Sequence, residues 1–216
     1  FVPESSSAVK VARLRGYGAS VNVGGAFYAE ALEAAEQRAQ QTGALWMHAF
    51  DQPAMVAGNG TVARELAGQV ELDTVLVAVG GGGLLGGVGA WYAGDVRVVG
   101  VETELTASLT AALAAGSPVD APVGGLAADA LGARRVGDIG FAVATKYVEQ
   151  VVLVDDDAVV RAQRRLWDQL RTAVEPAAAV GLAALAERAY RPATGERVGV
   201  LLCGANLDPA TLAPIP

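Results

Sequence analysis

The chain has 216 residues, 52% hydrophobic and 18% charged, enough for one large or two small domains with a sizeable core. A net charge of −7 at pH 7, with no basic run, argues against nucleic acid or an anionic membrane as partner. The single cysteine, Cys203, excludes an intrachain disulfide and favours a reducing, cytoplasmic compartment, and the single histidine, His48, argues against a multi-histidine zinc site or a histidine-based triad.

The chain opens on "FVPE", which reads as a β-strand entered part-way, and on Phe1 where a natural start has Met; residues upstream are expected. The stretch "SSSAVKVARLRGYGA" predicts a helix with Ser5 or Ser6 as N-cap and Gly16 or Gly18 near its end. "ASVNV" reads as a strand. Residues 26–42 carry helical spacing that Gly43 stops, and "ALWMHAF" reads as another strand. A helix over 53–69 precedes a strand at 73–79. Four glycines and a helix of small residues follow. The uncharged run from Thr74 to Gly94 is long enough to span a bilayer, but its glycines favour a turn at the middle, and no signal peptide is evident.

Further along, "VRVVGVE" is a strand, 105–115 a helix and 116–133 a loop rich in Gly, Pro and Ala. Residues 134–146 read as helical and "VEQVVLV" as a strand. Asp155 to Asp157 cap a helix running through Leu170, residues 176–190 form another, and "RVGVLLCG" is a last, fully apolar strand ending near Cys203. This alternation predicts an α/β fold, with parallel sheets covered by helices on both faces. A shift in composition near Phe50 to Pro53 divides the chain into part of a small domain, 1–50, and a large cofactor-binding domain, 51–216.

The run "TVLVAVGGGGLLGGVGAW" raises the functional question. Four successive glycines are conformationally costly, so something needs bare backbone there. A tight, closely packed strand-to-helix turn would need only two. Gly81, Gly83 and Gly86 also fit a dinucleotide fingerprint, with Glu102 about twenty residues on. In a third reading, successive amides at a helix N-terminus cradle a monophosphate.

"VAVGGGGLLGGVGA", "VEPAAAVGLAAL" and "LLCGANLD" occur in this order, after "AFDQPAMVAGNGTVARE". Together they resemble the pyridoxal-phosphate enzymes of the tryptophan-synthase-β fold (fold type II), and among them the serine/threonine dehydratases. The resemblance favours the phosphate cradle. It implies that the amides of Gly80, Gly81, Gly82, Gly83 and Leu84 bind the phosphate of pyridoxal 5'-phosphate, where side chains would block it. It places Cys203 opposite the pyridine nitrogen, a position where a neutral partner makes the ring a weaker electron sink suited to β-elimination. Read without the resemblance, Cys203 is a small core hydrophobe. Glu175 lies near the ring by the same resemblance, or simply sets charge against a helix dipole.

The resemblance also implies a cation site from Glu102, the Thr106 carbonyl and Ser108, with carbonyls of Leu131 and Ala133 in "DALGARR". Ser108, where related racemases have aspartate, points to K+ rather than a divalent ion. Otherwise Glu102 is a solvated strand-end acid. His48, near Asp51 at the proposed domain junction, reads as structural. The implied reaction is conversion of L-serine or L-threonine to a 2-oxoacid and ammonia by a homodimer acting on small amino-acid substrates. Another β-eliminating lyase, an amino-acid racemase, or a non-catalytic pyridoxal-phosphate or phosphate binder are the alternatives. The reaction needs a Schiff-base lysine, and neither Lys10 nor Lys146 stands in a Ser-x-Lys-x-Arg-like context; the catalytic lysine is expected upstream of Phe1.

Overall fold

The computed structural model describes residues 1–26 and 28–212. Phe27 and residues 213–216 lie outside it, the former within the predicted 26–42 helix and the latter within the predicted large domain. The described residues form two compact units: Phe1–Met47 with Asn206–Asp208, and His48–Ala205 with Pro209–Leu212.

The first unit holds α1 (Ala8–Gly16) and α2 (Tyr28–Thr42). The N-cap of α1 is Ser7, whose hydroxyl accepts from the Lys10 amide at 3.4 Å, so the cap falls one or two residues later than predicted. "ASVNV" is not a strand. Only Val23 pairs, in an isolated parallel bridge with Val2 of "FVPE". "ALWMHAF" is not a strand either. Leu45 and Met47 are 85% and 57% exposed, and a strand with neither a buried face nor a paired neighbour gains nothing to offset chain entropy.

The second unit is a four-stranded parallel sheet in the order β3-β2-β1-β4, from β1 (Thr74–Ala78), β2 (Arg97–Thr103), β3 (Val148–Val154) and β4 (Val198–Val200). Around it are α3 (Pro53–Ala67), α4 (Gly83–Tyr92), α5 (Ser108–Ala115), the short α6 (Ala128–Leu131), α7 (Asp138–Tyr147), α8 (Asp156–Leu170) and α9 (Pro176–Ala186).

Central β1 is buried along its whole length, and its side chains alternate between two cores. Leu76 and Ala78 face α8 and α9 through Val159, Ala162, Leu166, Val180 and Ala183. Val75, Val77 and Val79 face the other layer through Ala63, Leu85, Val88, Leu109 and Ala144. Helices therefore cover both faces, as the near-continuous apolar strands predict. The glycines of α4 let its backbone touch that of α3: a Cβ on Gly87 would lie 2.4 Å from the Gly60 nitrogen. The uncharged run from Thr74 is thus strand, turn and helix, and no helix among the described residues is long and apolar enough to cross a membrane.

Against the predicted spans, α5 starts at Ser108 rather than 105 and α9 ends at Ala186 rather than 190, and three further differences have identifiable causes. The stretch 116–133 contains α6, and α7 starts at Asp138 because the exposed Arg134 and Arg135 lie in a turn held by the Ala121 amide on the Arg134 carbonyl. The predicted eight-residue strand "RVGVLLCG" pairs only over Val198–Val200. Among the described residues it is an edge strand paired with β1, which ends at Ala78, so Cys203 lies beyond this ladder and is exposed.

Candidate active site

Strand β1 runs into Gly80, and the chain reverses through Gly81 and Gly82 into α4. Gly82 takes φ +86°, a left-handed conformation that favours glycine. Each of the four glycines is hemmed in on its Cβ side. A Cβ on Gly80 would lie 3.0 Å from the Leu131 Cα, and one on Gly82 2.8 Å from a Val136 methyl. At Gly81 it would fall 2.3 Å from the Phe50 ring, and at Gly83 2.9 Å from the Phe50 carbonyl oxygen. The bare backbone is therefore needed on the protein side, where close packing alone demands it. This corrects the view that side chains would chiefly obstruct a ligand.

The opposite edge of the turn has different chemistry. Among the described residues, the amides of Gly80, Gly81, Gly82, Gly83 and Leu84 donate to no protein acceptor. Five N–H groups at the start of a ten-residue helix form a cradle of positive potential. Such donors fit a monophosphate, which pyridoxal phosphate carries.

Two clamps hold this turn. The Gly137 amide donates to the Gly81 carbonyl at 3.0 Å, and α7 follows with Gly140 packed against Gly82. The Asp51 carboxylate accepts from the Asp138 and Ile139 amides, both at 3.0 Å, and so caps α7. The contributions of Phe50 and Asp51 cannot be read from local sequence, because their partners lie far along the chain. The one signal is that both belong to the "AFDQP" stretch carrying the family resemblance.

Of the residues predicted to hold a cation, Ser108 and Leu131 meet this turn at Gly80. The Ser108 hydroxyl donates to the Gly80 carbonyl at 3.3 Å, and Leu131 packs on the same glycine. Glu102 is fully buried, which overturns the alternative of a solvated acid. Its carboxylate accepts from the Leu109 and Thr110 amides at 2.8 and 2.9 Å and from the Thr110 hydroxyl at 2.7 Å, capping α5. Burial raises the Glu102 pKa, opposed by those three donors. Thr106 is buried with its hydroxyl 2.9 Å from that of Thr103, and Ala133 is half-buried. One carboxylate among hydroxyls and carbonyls is the donor chemistry of a hard cation. Among the described residues no three His, Cys, Asp or Glu side chains come together.

At the C-terminal edge, Cys203 is exposed and is not a core residue. Packing on one side and the nearby Glu175 carboxylate raise its thiol pKa, which keeps it neutral. Glu175 is buried at the N-terminus of α9. Its amide donates to the Gly204 carbonyl at 3.1 Å, and a Cβ on Gly204 would collide with its carboxylate. Glu175 and Cys203 therefore share one edge. Lys146 lies in the last turn of α7 with its ammonium 4.8 Å from the Tyr147 ring centroid, about 9 Å along the helix from Gly140 at the glycine turn. Asp155 caps α8 by accepting from the Ala158 amide at 2.6 Å, as predicted.

A family model described as pyridoxal-phosphate dependent enzyme matches residues 1–204. The chain belongs to this family. It is 39% identical over 212 residues to the biosynthetic L-threonine dehydratase of Salmonella typhimurium, covering 96% of this chain and 41% of that protein. The chain thus spans less than half the length of that relative. Among solved structures, maize serine racemase superposes with a TM-score of 0.88 at 32% identity, covering 98% of this chain and 67% of the other. The processed form of threonine deaminase isoform 2 from Solanum lycopersicum gives 0.87 at 29%, covering 98% and 63%. The parallel fold with helices on both faces is thus that of the fold type II enzymes.

Proposed function

We propose that this chain carries the cofactor-holding part of a pyridoxal-phosphate-dependent ammonia-lyase that converts L-threonine or L-serine to a 2-oxoacid and ammonia. The observation that carries the reading is the open amide edge of Gly80–Leu84 at the N-terminus of α4, backed by a protein wall on the Cβ side of every glycine. Similarity to an L-threonine dehydratase supports the reaction class.

When bound, pyridoxal phosphate supplies the electron sink that lets a β-hydroxy amino acid lose water. The glycine amides would hold its phosphate by fixed dipoles. Cys203, whose neutral thiol would not fix a proton on the ring nitrogen, and Glu175 would line the ring side of the site. Glu102, Ser108 and the carbonyls of Thr106, Leu131 and Ala133 would hold a potassium ion, and Ser108 would link that site to the turn at the Gly80 carbonyl. Neither Lys10 nor Lys146 is assigned the proton transfer at the substrate α-carbon. The enzyme works as a cytoplasmic homodimer.

The test is to incubate the native protein with each amino acid and follow 2-oxobutyrate or pyruvate together with ammonia, in potassium and in sodium. Turnover that potassium supports better than sodium is the expected result. Conversion of L-serine to D-serine without 2-oxoacid would make the protein a racemase. Tight binding of NAD in place of pyridoxal phosphate would overturn the reading altogether.

A further inference from the structure

His48 is the only histidine in the chain, and the roles set out above leave it unused. Its Nδ1 accepts two hydrogen bonds, from the Phe50 amide at 3.1 Å and the Asp51 amide at 2.7 Å. An imidazole nitrogen accepts only when it carries no proton, so the ring proton sits on Nε2. The His48 amide donates to Gln52 Oε1 at 3.1 Å, and the Gln52 carbonyl accepts the Val56 amide at 3.0 Å, which ties the turn to the start of α3. The His48 ring also meets the Phe50 ring edge-on, with centroids 4.8 Å apart.

The two residues whose amides His48 holds are the two that fix the glycine turn. Phe50 presses its ring against Gly81 and its backbone against Gly83. Asp51 caps α7, whose leading Gly137 amide holds the Gly81 carbonyl. One acceptor thus sets both the wall behind the cradle and the helix that clamps it. A residue without an acceptor at that place removes the shared Nδ1 acceptor from both amides and loosens the hold on Phe50 and Asp51. Preorganised donors lose their advantage when their support moves by even a fraction of an ångström.

We infer that His48 is a positioning residue for the phosphate cradle, acting through Phe50 and Asp51 by accepting both their amides on Nδ1. The inference rests on the phosphate reading of the glycine turn. An Asn side chain places an amide oxygen on the same branch atom and can accept the same bonds, whereas Phe keeps the ring and loses the acceptor.

The experiment compares the native protein with His48→Asn, His48→Phe and Phe50→Leu. Affinity is read by titration with pyridoxal phosphate and with inorganic phosphate, the latter by phosphorus NMR, and hydrogen exchange is followed at the Phe50 and Asp51 amides. His48→Phe should weaken both ligands by about tenfold and lose protection at the two amides. His48→Asn should stay within about threefold of the native protein and keep the protection. Phe50→Leu should weaken both ligands while the residue 50 and 51 amides stay protected, which keeps the test decisive if His48→Phe does not fold. Equal affinity in the native protein and His48→Phe, no rescue by Asn, or unaltered binding in Phe50→Leu would overturn the inference while leaving the cradle standing. A native protein that binds neither ligand would overturn the cradle and this inference together.

Discussion

The two ends of β1 are built from opposite materials. At its N-terminal end, Thr74 is fully buried and its hydroxyl donates to Glu196, accepts from Arg97 and lies 3.2 Å from the Tyr190 hydroxyl, whose proton goes to Glu196, while the Ala193 amide caps the same carboxylate. Every group there has a partner, and Arg97 closes the ring with a 3.1 Å ion pair. At the C-terminal end, among the described residues, five successive amides from Gly80 to Leu84 face no protein acceptor. The same strand joins them, and the same two cores bury it. Polar saturation at one end serves stability; open donors at the other are unfavourable for the chain alone and make sense as a ligand site. The contrast separates residues whose loss unfolds the unit from residues whose loss silences it.

The sharpest way to break this contrast is Gly82→Asp. A side chain at φ +86°, with its Cβ 2.8 Å from Val136, must distort the turn, and its carboxylate brings negative charge to the open amide edge. Retention of pyridoxal phosphate after gel filtration should fall by about a thousandfold or more. Unimpaired retention would detach the cradle from the cofactor.

Next in size is Glu102→Ala, which strands the Leu109 and Thr110 amides and the Thr110 hydroxyl in the interior. Denaturant unfolding should show a loss of about 2–4 kcal/mol. A loss below about 1 kcal/mol would mean that α5 finds another cap.

At the saturated end, Tyr190→Phe removes one hydroxyl shared by Thr74, Arg97 and Glu196. Unfolding free energy should drop by about 1–3 kcal/mol, with phosphate affinity unchanged. Weakened affinity would show that the two ends are coupled.

The acid limb of the stability curve sharpens the same point. Hydrogen bonds from the Thr74 and Tyr190 hydroxyls, with the Ala193 amide and Arg97 adding, hold Glu196 at about 2 against an ordinary 4.5. The folded value lies below the unfolded one, so this contribution is complete above pH 4.5 and disappears as pH falls toward 2. Glu196→Gln should flatten thermal stability across that window; an unchanged slope would assign the acid limb to other carboxylates. The smallest effect belongs to Arg197→Ala. The exposed pairs of Arg197 with Glu71 and Asp73, at 2.6 and 2.9 Å, should contribute no more than about 1 kcal/mol, measured by the same unfolding.

How much of this was legible depended on how local the cause is. The strand Val148–Val154 matches its predicted span because a run of β-branched residues ends at Asp155, a cap that acts within three residues. The turn into α4 is legible because four glycines after a β-former run admit few conformations. The role of Phe50 was not, because the atoms it wedges against lie thirty residues on and nothing in "ALWMHAF" hints that its end packs while its middle is exposed. Asp51 acts on amides 87 and 88 positions away. "RVGVLLCG" misled for the reverse reason: its apolar pattern suits a central strand, while its place at the sheet edge allows only three paired residues. Of the candidate site, the phosphate end was readable from pattern, whereas the burial of Glu102 and the exposure of Cys203 are set by packing.

The central claim, that the amide edge of the glycine turn receives a phosphate, is tested most directly by amide NMR of the native protein during titration with pyridoxal phosphate. The account predicts large downfield shifts at Gly80, Gly81, Gly82, Gly83 and Leu84, with the amides around Thr74 and Glu196 unmoved. Shifts confined to other residues, with those five amides unchanged at saturation, would contradict it.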